Sequence, residues 1–502
     1  MDDTFRALRS QSSVLSPQSS PHVVVIGGGI AGLATAYALQ EQARAAQLPL
    51  HCTLIEAKPR LGGVILTERV DGFVIEAGPD SLLTQKPWGV ELCRELGIAD
   101  RLIGTNDRQR RVYILWKGRL QPLPEGLMLI VPTRLGSLLR SRLLSWPGKI
   151  RLGLEYILPP RPPTGDESLA GFVRRRCGRE ALEKIAAPLL AGIYAGSLEQ
   201  MSLLATFPRL RELEVKHGGL IRGMLAQRRQ RRQHTSPGTR PTTLFMAPRD
   251  GMADIVDAIG ARLDRVTVLS GTAVQRVVPC CEGTSLPGAY EVILDRSQAL
   301  RAEAVVFATP AHVTARLIKG FHAELAEALQ AIPYVSTATV SLAFRRADVP
   351  HALDGFGFLV GRHEPCRLIG ATWTSTKFPH RAPAEYALIR SFVGGAGREH
   401  LVSLDDAALV EVVREELQDV LGIAAEPRLT LVFRWEKANP QYLVGHLERI
   451  EAMEKMLAPY PRLFLTGSAY RGVGVPDCIH QGRQTAARVL STIFPRKEAH
   501  KP

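Results

Sequence analysis

Six residues near the start of the chain, Gly27-Gly28-Gly29-Ile30-Ala31-Gly32, are spaced to bring backbone close to a pyrophosphate. Gly27 would permit the tight turn, Gly29 the approach of phosphate oxygens, and Gly32 close packing of a helix on a strand. A helix opening here would present free N–H groups and the positive end of its dipole to the anion. Glu56 lies 24 residues beyond Gly32, at the end of the next apolar run. A carboxylate there can accept hydrogen bonds from ribose hydroxyls, so the two features together predict a dinucleotide site.

The elements that must hold these residues are legible around them. Val23-Val24-Val25-Ile26 reads as a buried parallel strand, Ala31 to Ala43 as a helix, and Thr53-Leu54-Ile55 as the next strand. The apolar run Pro21–Leu39 approaches membrane-span length, but three consecutive glycines at its middle favour phosphate binding over a span. Residues 101–225 read as mainly helical, broken at Pro132, Pro147 and Pro159. Strands return beyond Thr243: a hairpin from segments 271–279 and 289–295, a buried strand at 302–308, and strands of a second sheet at 338–345 and 386–393. Residues 404–421 form an amphipathic helix opened by Asp405 and Asp406. A strand at 463–466 and a helix from about Asp477 to Ile493 close the pattern.

Composition narrows the class. The chain has 502 residues, of which 45% are hydrophobic and 22% charged, an ordinary globular balance. Seven cysteines without a C-x-x-C pair argue against a disulfide framework or a zinc ribbon, and predict a reducing, cytoplasmic compartment and no metal. Net charge is +14, yet the stretch Arg101–Arg249 alone holds 27 Lys and Arg against 10 Asp and Glu. No nucleic-acid motif accompanies it. An acidic small molecule, an anionic membrane surface or a solvated face are the readings left, and Gln227–Thr243, with its Arg228–Arg232 cluster, reads as an exposed loop. Residues 1–20 read as a disordered leader.

The residues after Glu56 decide the nucleotide. Ala57, Arg60, Gly62 and Gly63, followed by Val64, resemble the E-A-x-x-R-x-G-G continuation of the FAD-dependent amine-oxidase and desaturase superfamily. Arg60 is expected to reach the pyrophosphate as a charged donor, and the glycines to let the chain pass the ribityl. A second dinucleotide site is missing, because His400 stands where Gly394-Gly395-Ala396-Gly397 would need its last glycine. The vicinal Cys280-Cys281 falls in the hairpin turn. Electrons are therefore expected to enter from an organic substrate and leave to oxygen or another diffusible acceptor.

Further blocks resemble the bacterial porphyrinogen oxidase family, which acts on coproporphyrinogen III or protoporphyrinogen IX in haem biosynthesis. They are Glu76 to Ser81 (EAGPDS), Pro188 to Gly196 (PLLAGIYAG), Ser202 to Pro208 (SLLATFP), Ala371 to Thr374, Arg434-Trp435 and Pro440 to Tyr442 with Gly445-His446. Tyr470 to Ile479 (YRGVGVPDCI) completes the series, next to Gly467-Ser468-Ala469, a piece that resembles the wider superfamily. The resemblance implies non-covalent FAD, with Gly78, Pro79, Asp80 and Ser81 along the flavin and Val274 at the adenine. It places Trp435 and Gly467 at the flavin, and Val473, Gly474 and Val475 over its pyrimidine edge. It also implies three hydride transfers from the porphyrinogen to flavin N5 with release of hydrogen peroxide, needing no catalytic side chain. Lys86 is the candidate contact for a substrate carboxylate. Peripheral membrane contact and a downstream haem-pathway enzyme are further candidate partners. The expected fold is α/β, α+β overall. A Rossmann-type FAD domain (21–105, 243–312 and 430–495) carries an inserted mixed-sheet substrate domain (313–429) and a basic, mainly helical domain (106–242). The alternative is another flavin amine oxidase or a carotenoid-type desaturase.

Overall fold

The computed structural model describes residues 20–124, 126–128, 131–132, 135–162, 165–234, 243–280, 288–294 and 298–495. Nearly all of the expected leader lies outside them. The first apolar run forms the strand His22–Ile26, at the centre of a five-stranded parallel sheet. Its neighbours are His51–Glu56 and then Val266–Ser270 on one side, and Ala304–Phe307 and then Leu463–Leu465 on the other. Val23 and Val25 point into a core shared with the helices Ile30–Ala45 and Val475–Ile493. Val24 and Ile26 point the opposite way, into a core shared with the helix Ala311–Ile318. Burial on both faces is why this strand is continuously apolar rather than alternating. Pro21–Leu39 is thus strand, turn and helix, and no helix among the described residues is long and apolar enough to cross a membrane.

A seven-stranded mixed sheet forms the second body. Its order is Leu429–Pro440, Tyr334–Arg345, Tyr386–Gly394, Leu368–Trp373, Gly355–Val360, Arg111–Trp116 and Arg119–Pro122. One face packs on the helix Asp406–Leu421, where the Asp405 carboxylate accepts from the Ala408 N–H at 2.8 Å as the N-cap. The other face looks toward the loop that begins at Ala77, through the Thr339 hydroxyl, and toward the helical region, through Leu359.

Three expectations change. The sheet takes strands from outside 313–429, since Arg111–Trp116 pairs in parallel with Gly355–Val360 and Leu429–Pro440 forms its far edge. Trp435 therefore belongs to the sheet body rather than to the parallel-sheet body. The stretch 101–225 also holds the strands Leu102–Gly104, Arg111–Trp116 and Arg119–Pro122. Arg111–Trp116 and Arg119–Pro122 pair with each other as a hairpin turned at Lys117-Gly118, whereas Leu102–Gly104 pairs with the distant Phe245–Pro248, which no local period announces. The Arg-rich stretch from Gln227 is helical as far as His234, continuing the helix Leu220–His234. Straight-chain Arg and Gln residues support a helix as readily as they solvate a loop. Residues 235–242 lie outside the described residues.

Candidate active site

Two glycine segments meet at the N-terminus of the helix Ile30–Ala45. Gly27 donates its N–H to Ile55 at 2.7 Å, and Gly62 donates to the Gly28 carbonyl at 2.8 Å. A Cβ on Gly32 would overlap the Gly27 carbonyl oxygen, whereas one on Gly29, the helix N-cap, would find its nearest neighbour, the Gly63 Cα, 4.0 Å away. Ile30 and Ala31 form the first turn. The cradle is thus closed on the protein side and open at Gly29, the shape that a pyrophosphate requires. Glu56 accepts from the Gly28 N–H at 2.7 Å and from the Lys58 N–H at 2.9 Å, so its carboxylate also fixes the loop.

Arg60 is folded onto its own segment, donating to the carbonyls of Gly63 at 2.7 Å, Ile65 at 3.2 Å and Leu61 at 3.3 Å. Beside it opens a cavity of about 430 Å³ lined by Arg60, Leu61, Ile65, Val256 and Asp257. Ala57 continues from Glu56 beyond the strand end, and Val64 is exposed. Val274 begins a hairpin strand paired with Leu294, as the sequence suggests. Thr272 donates to the Glu56 carbonyl at 3.0 Å, which brings that hairpin to the Glu56 end of the cradle. Gly467 follows the last parallel strand, and a Cβ there would meet the Ala31 side chain at 3.7 Å.

Gly78 to Ser81 pass directly over Val64, whose carbonyl oxygen a Cβ on Gly78 would overlap. Here the two sheets meet. The Ala77 carbonyl accepts from Trp435 Nε1 at 2.8 Å, from Thr339 Oγ1 at 3.0 Å and from Arg390 Nη2 at 3.2 Å. The Asp80 carboxylate accepts from Lys377 Nζ at 2.7 Å and Ser81 Oγ at 2.6 Å. Burial alone would raise its pKa, but Lys377 and Arg390 outweigh burial and hold it well below the usual carboxylate range. Arg381, Arg390 and Lys377 were not among the expected site residues. An arginine inside the apolar run Y-A-L-I-R-S-F-V-G was the available signal, since a charge at a strand centre is buried or functional.

Gly474 caps the helix Val475–Ile493, and Asp477 in its first turn accepts from the Gly474 N–H at 3.3 Å. Val473 precedes this cap. Lys86 reaches the same carboxylate, with Nζ 2.7 and 2.6 Å from its two oxygens. Its ammonium, expected to meet a substrate carboxylate, already holds one within the chain. The block around Tyr442 gains a reason: its hydroxyl donates to Ser468 at 2.6 Å and accepts from the Gly472 N–H at 2.8 Å. His446 stacks on Tyr442 with ring centroids 4.0 Å apart and meets the Tyr470 carbonyl at 2.9 Å. Burial pulls the His446 pKa down to about 4, so it is neutral near pH 7. This pair pins the glycine turn before the long helix.

Cys52, Cys93, Cys177, Cys366 and Cys478 are buried, which pushes each thiol up to about 12, and no metal-competent cluster occurs among the described residues. The family model described as "Flavin containing amine oxidoreductase" matches residues 30–490. The chain belongs to this family. Within it, the chain is 36% identical to the coproporphyrinogen III oxidase of Bacillus subtilis (strain 168) over 474 residues, covering 94% of this chain and 98% of that one. It is 31% identical to protoporphyrinogen oxidase 1, chloroplastic, of Spinacia oleracea, covering 93% and 84%. A crystal structure from Exiguobacterium sp. 255-15 superposes with a TM-score of 0.81 at 33% identity, covering 94% of this chain and 99% of that one. The chain is thus an FAD-dependent oxidoreductase of the porphyrinogen oxidase group. FAD fits the site on the structure's own terms, through the phosphate cradle open at Gly29 and the second glycine segment hydrogen-bonded to it.

Proposed function

We propose that this flavoprotein oxidises coproporphyrinogen III to coproporphyrin III, with oxygen as the electron acceptor and hydrogen peroxide as its product. Bound FAD would supply the two-electron acceptor, used three times per macrocycle. The chain's own residues would do the orienting. Trp435, Thr337, Thr339, Phe392 and Thr372 share one face of the seven-stranded sheet, by the pairing of Thr337 with Trp435 and Thr339 with Phe392, and of Gly357 with Thr372. The hydrogen bond from Thr339 to Ala77 turns that face toward the loop Gly78–Ser81. A face that sets the rings of Trp435 and Phe392 among small threonines suits a tetrapyrrole whose meso carbon must be held over the acceptor, an orientation effect worth far more than acid–base help here. The likeness to the Bacillus subtilis enzyme across nearly the whole of both chains carries the choice of substrate. Incubating the purified holoprotein with coproporphyrinogen III in air should produce porphyrin fluorescence and three peroxides per porphyrin. A faster initial rate on protoporphyrinogen IX would reassign the substrate, and peroxide on amines alone would reject the reading.

Lys86 remains the candidate substrate contact within this reading, shared with Asp477. Lys86→Met should raise the KM for coproporphyrinogen with little change in kcat; an unchanged KM assigns Lys86 to Asp477 alone. A peripheral membrane contact is supported by the segment Trp146–Ile157. Trp146, Ile150 and Ile157 are each more than 60% exposed, Lys149 sits over the Trp146 ring at 4.6 Å, and Arg222 sits over Tyr156 at 5.0 Å. Apolar side chains rimmed by cations suit an anionic lipid surface. Cosedimentation with phosphatidylserine vesicles, lost in a Trp146→Ser/Ile150→Ser variant, tests it.

A further inference from the structure

The floor of the flavin-side loop holds an unbalanced buried charge. Five ionic side chains gather there: Glu76, Asp80, Lys377, Arg381 and Arg390. Glu76 is taken by Arg381, and its two oxygens also accept from the Thr67 hydroxyl at 2.7 Å and the Met252 N–H at 2.8 Å. Asp80 is taken by Lys377. Both anions therefore have their own cation, and Arg390 is the surplus.

Arg390 is 5% exposed, and among the described residues no carboxylate lies within ion-pair distance of it. Only its Nη2 is used, on the carbonyls of Ala77 and Gly78, while its buried Nε has no partner. The guanidinium lies over the Phe392 ring at 4.8 Å, on the sheet face that carries Trp435. Holding an uncompensated cation out of water is costly, and a fold keeps one where a negative charge will face it. The loop it clasps is the one read as lining the flavin. Two-electron reduction adds negative charge to a flavin, and a fixed cation nearby lowers the cost of that charge without reorganisation.

We propose that Arg390 is a positioning and electrostatic residue. It fixes the Ala77–Gly78 carbonyls and, as the one cation of this cluster without a carboxylate in contact, shifts the bound flavin toward its reduced form. Asp80 opposes it and Lys377 moderates Asp80. The inference rests on the reading that Gly78–Ser81 border the flavin. It goes beyond that reading in giving opposite signs to two residues of one network.

The test is the redox equilibrium of the holoprotein, read by dye equilibration alongside the FAD dissociation constant and the flavin absorption spectrum. Arg390→Gln should move the oxidised-to-reduced ratio at least tenfold toward oxidised, about 30 mV for a two-electron couple. Asp80→Asn should move it in the opposite direction. Arg390→Lys, which keeps the charge but loses the fork, should weaken FAD binding while leaving the ratio within about threefold. If Arg390→Gln holds no flavin, Asp80→Asn and Arg390→Lys decide alone. Shifts of the same sign in Arg390→Gln and Asp80→Asn, or none with weakened FAD binding, reduce Arg390 to a clamp and overturn the proposal. A raised KM for coproporphyrinogen with an unmoved ratio would give the cation to a substrate carboxylate and overturn it too. Trp435→Phe separates the underlying reading: a flavin spectrum indifferent to it would show that this loop lies away from the ring.

Discussion

Two buried ionic networks of similar size sit in different parts of this molecule. In the helical region, Arg175, Arg176 and Arg211 meet Glu155, Glu167 and Glu214, so that the buried charges cancel, with the exposed Arg161 at the edge on Glu167. Glu155 alone accepts from Arg176 Nε at 2.9 Å and from the Leu220 and Ile221 N–H groups at 2.7 and 2.9 Å. Around the loop Gly78–Ser81, three cations face two anions, and the Nε atoms of Arg381 and Arg390 are buried without a partner. A closed network serves the fold, because each buried cation in it has a carboxylate in contact, even where one nitrogen, Arg175 Nε, is unpartnered. An open one stores electrostatic work for something that arrives later. The difference is readable only because both are buried; at the surface, solvent would erase it.

The closed network should break most expensively. Glu155→Gln takes from Arg176, fully buried, its nearest carboxylate and leaves it only Glu214, at 3.7 Å. Loss of one partner of such a pair costs about 3–5 kcal/mol, so the urea midpoint should fall sharply while FAD content per folded molecule stays at the wild-type level. A small loss would mean that the helical network is as open as the other.

Acid should attack the same network next. Burial would raise the Glu214 pKa, but Arg175, the Arg161 N–H and Arg211 overrule it and hold it at about 2, against 4.5 as the ordinary value. A pKa depressed by folding contributes stability that is complete above the ordinary value and is lost as pH falls through the folded one. Roughly 3 kcal/mol should therefore disappear between about pH 4.5 and pH 2. Urea midpoints at pH 7, 4 and 3 measure it, and a Glu214→Gln variant should flatten that part of the profile.

Sequence and structure agree best where local chemistry dictates the geometry. The strand His22–Ile26, the glycine turn and the helix Ile30–Ala45 follow from composition and spacing alone, and the resemblance in the later blocks is matched by the family of the whole chain. Five of the described cysteines, Cys52, Cys93, Cys177, Cys366 and Cys478, are buried free thiols. What stayed hidden depends on contacts across hundreds of residues. Trp435 and Ala77 meet because two sheets pack together, and Lys86 meets Asp477 because a loop crosses a helix end. No periodicity encodes such meetings. Lys86 looks free because a lysine before a proline has no local partner in the sequence; the hairpin of Arg111–Trp116 and Arg119–Pro122 is a local pairing, but it lies in a stretch whose composition reads as helical.

The smallest predicted effect sharpens the comparison furthest, because it needs two variants inside the open network. Arg381→Met and Lys377→Met each remove one positive charge. Arg381 is 1% exposed and holds Glu76, itself 3% exposed, so its loss strands a buried carboxylate and should cost about 3 kcal/mol or more. Lys377→Met keeps the apolar stem and leaves Asp80 with the Ser81 hydroxyl and the charge of Arg390, so that anions and cations balance. Its cost should stay near 1 kcal/mol or below, about what one exchangeable hydrogen bond contributes. Equal losses for the two would show that the positive surplus is no property of the Arg390 end, and the distinction between a closed and an open network would fall with it.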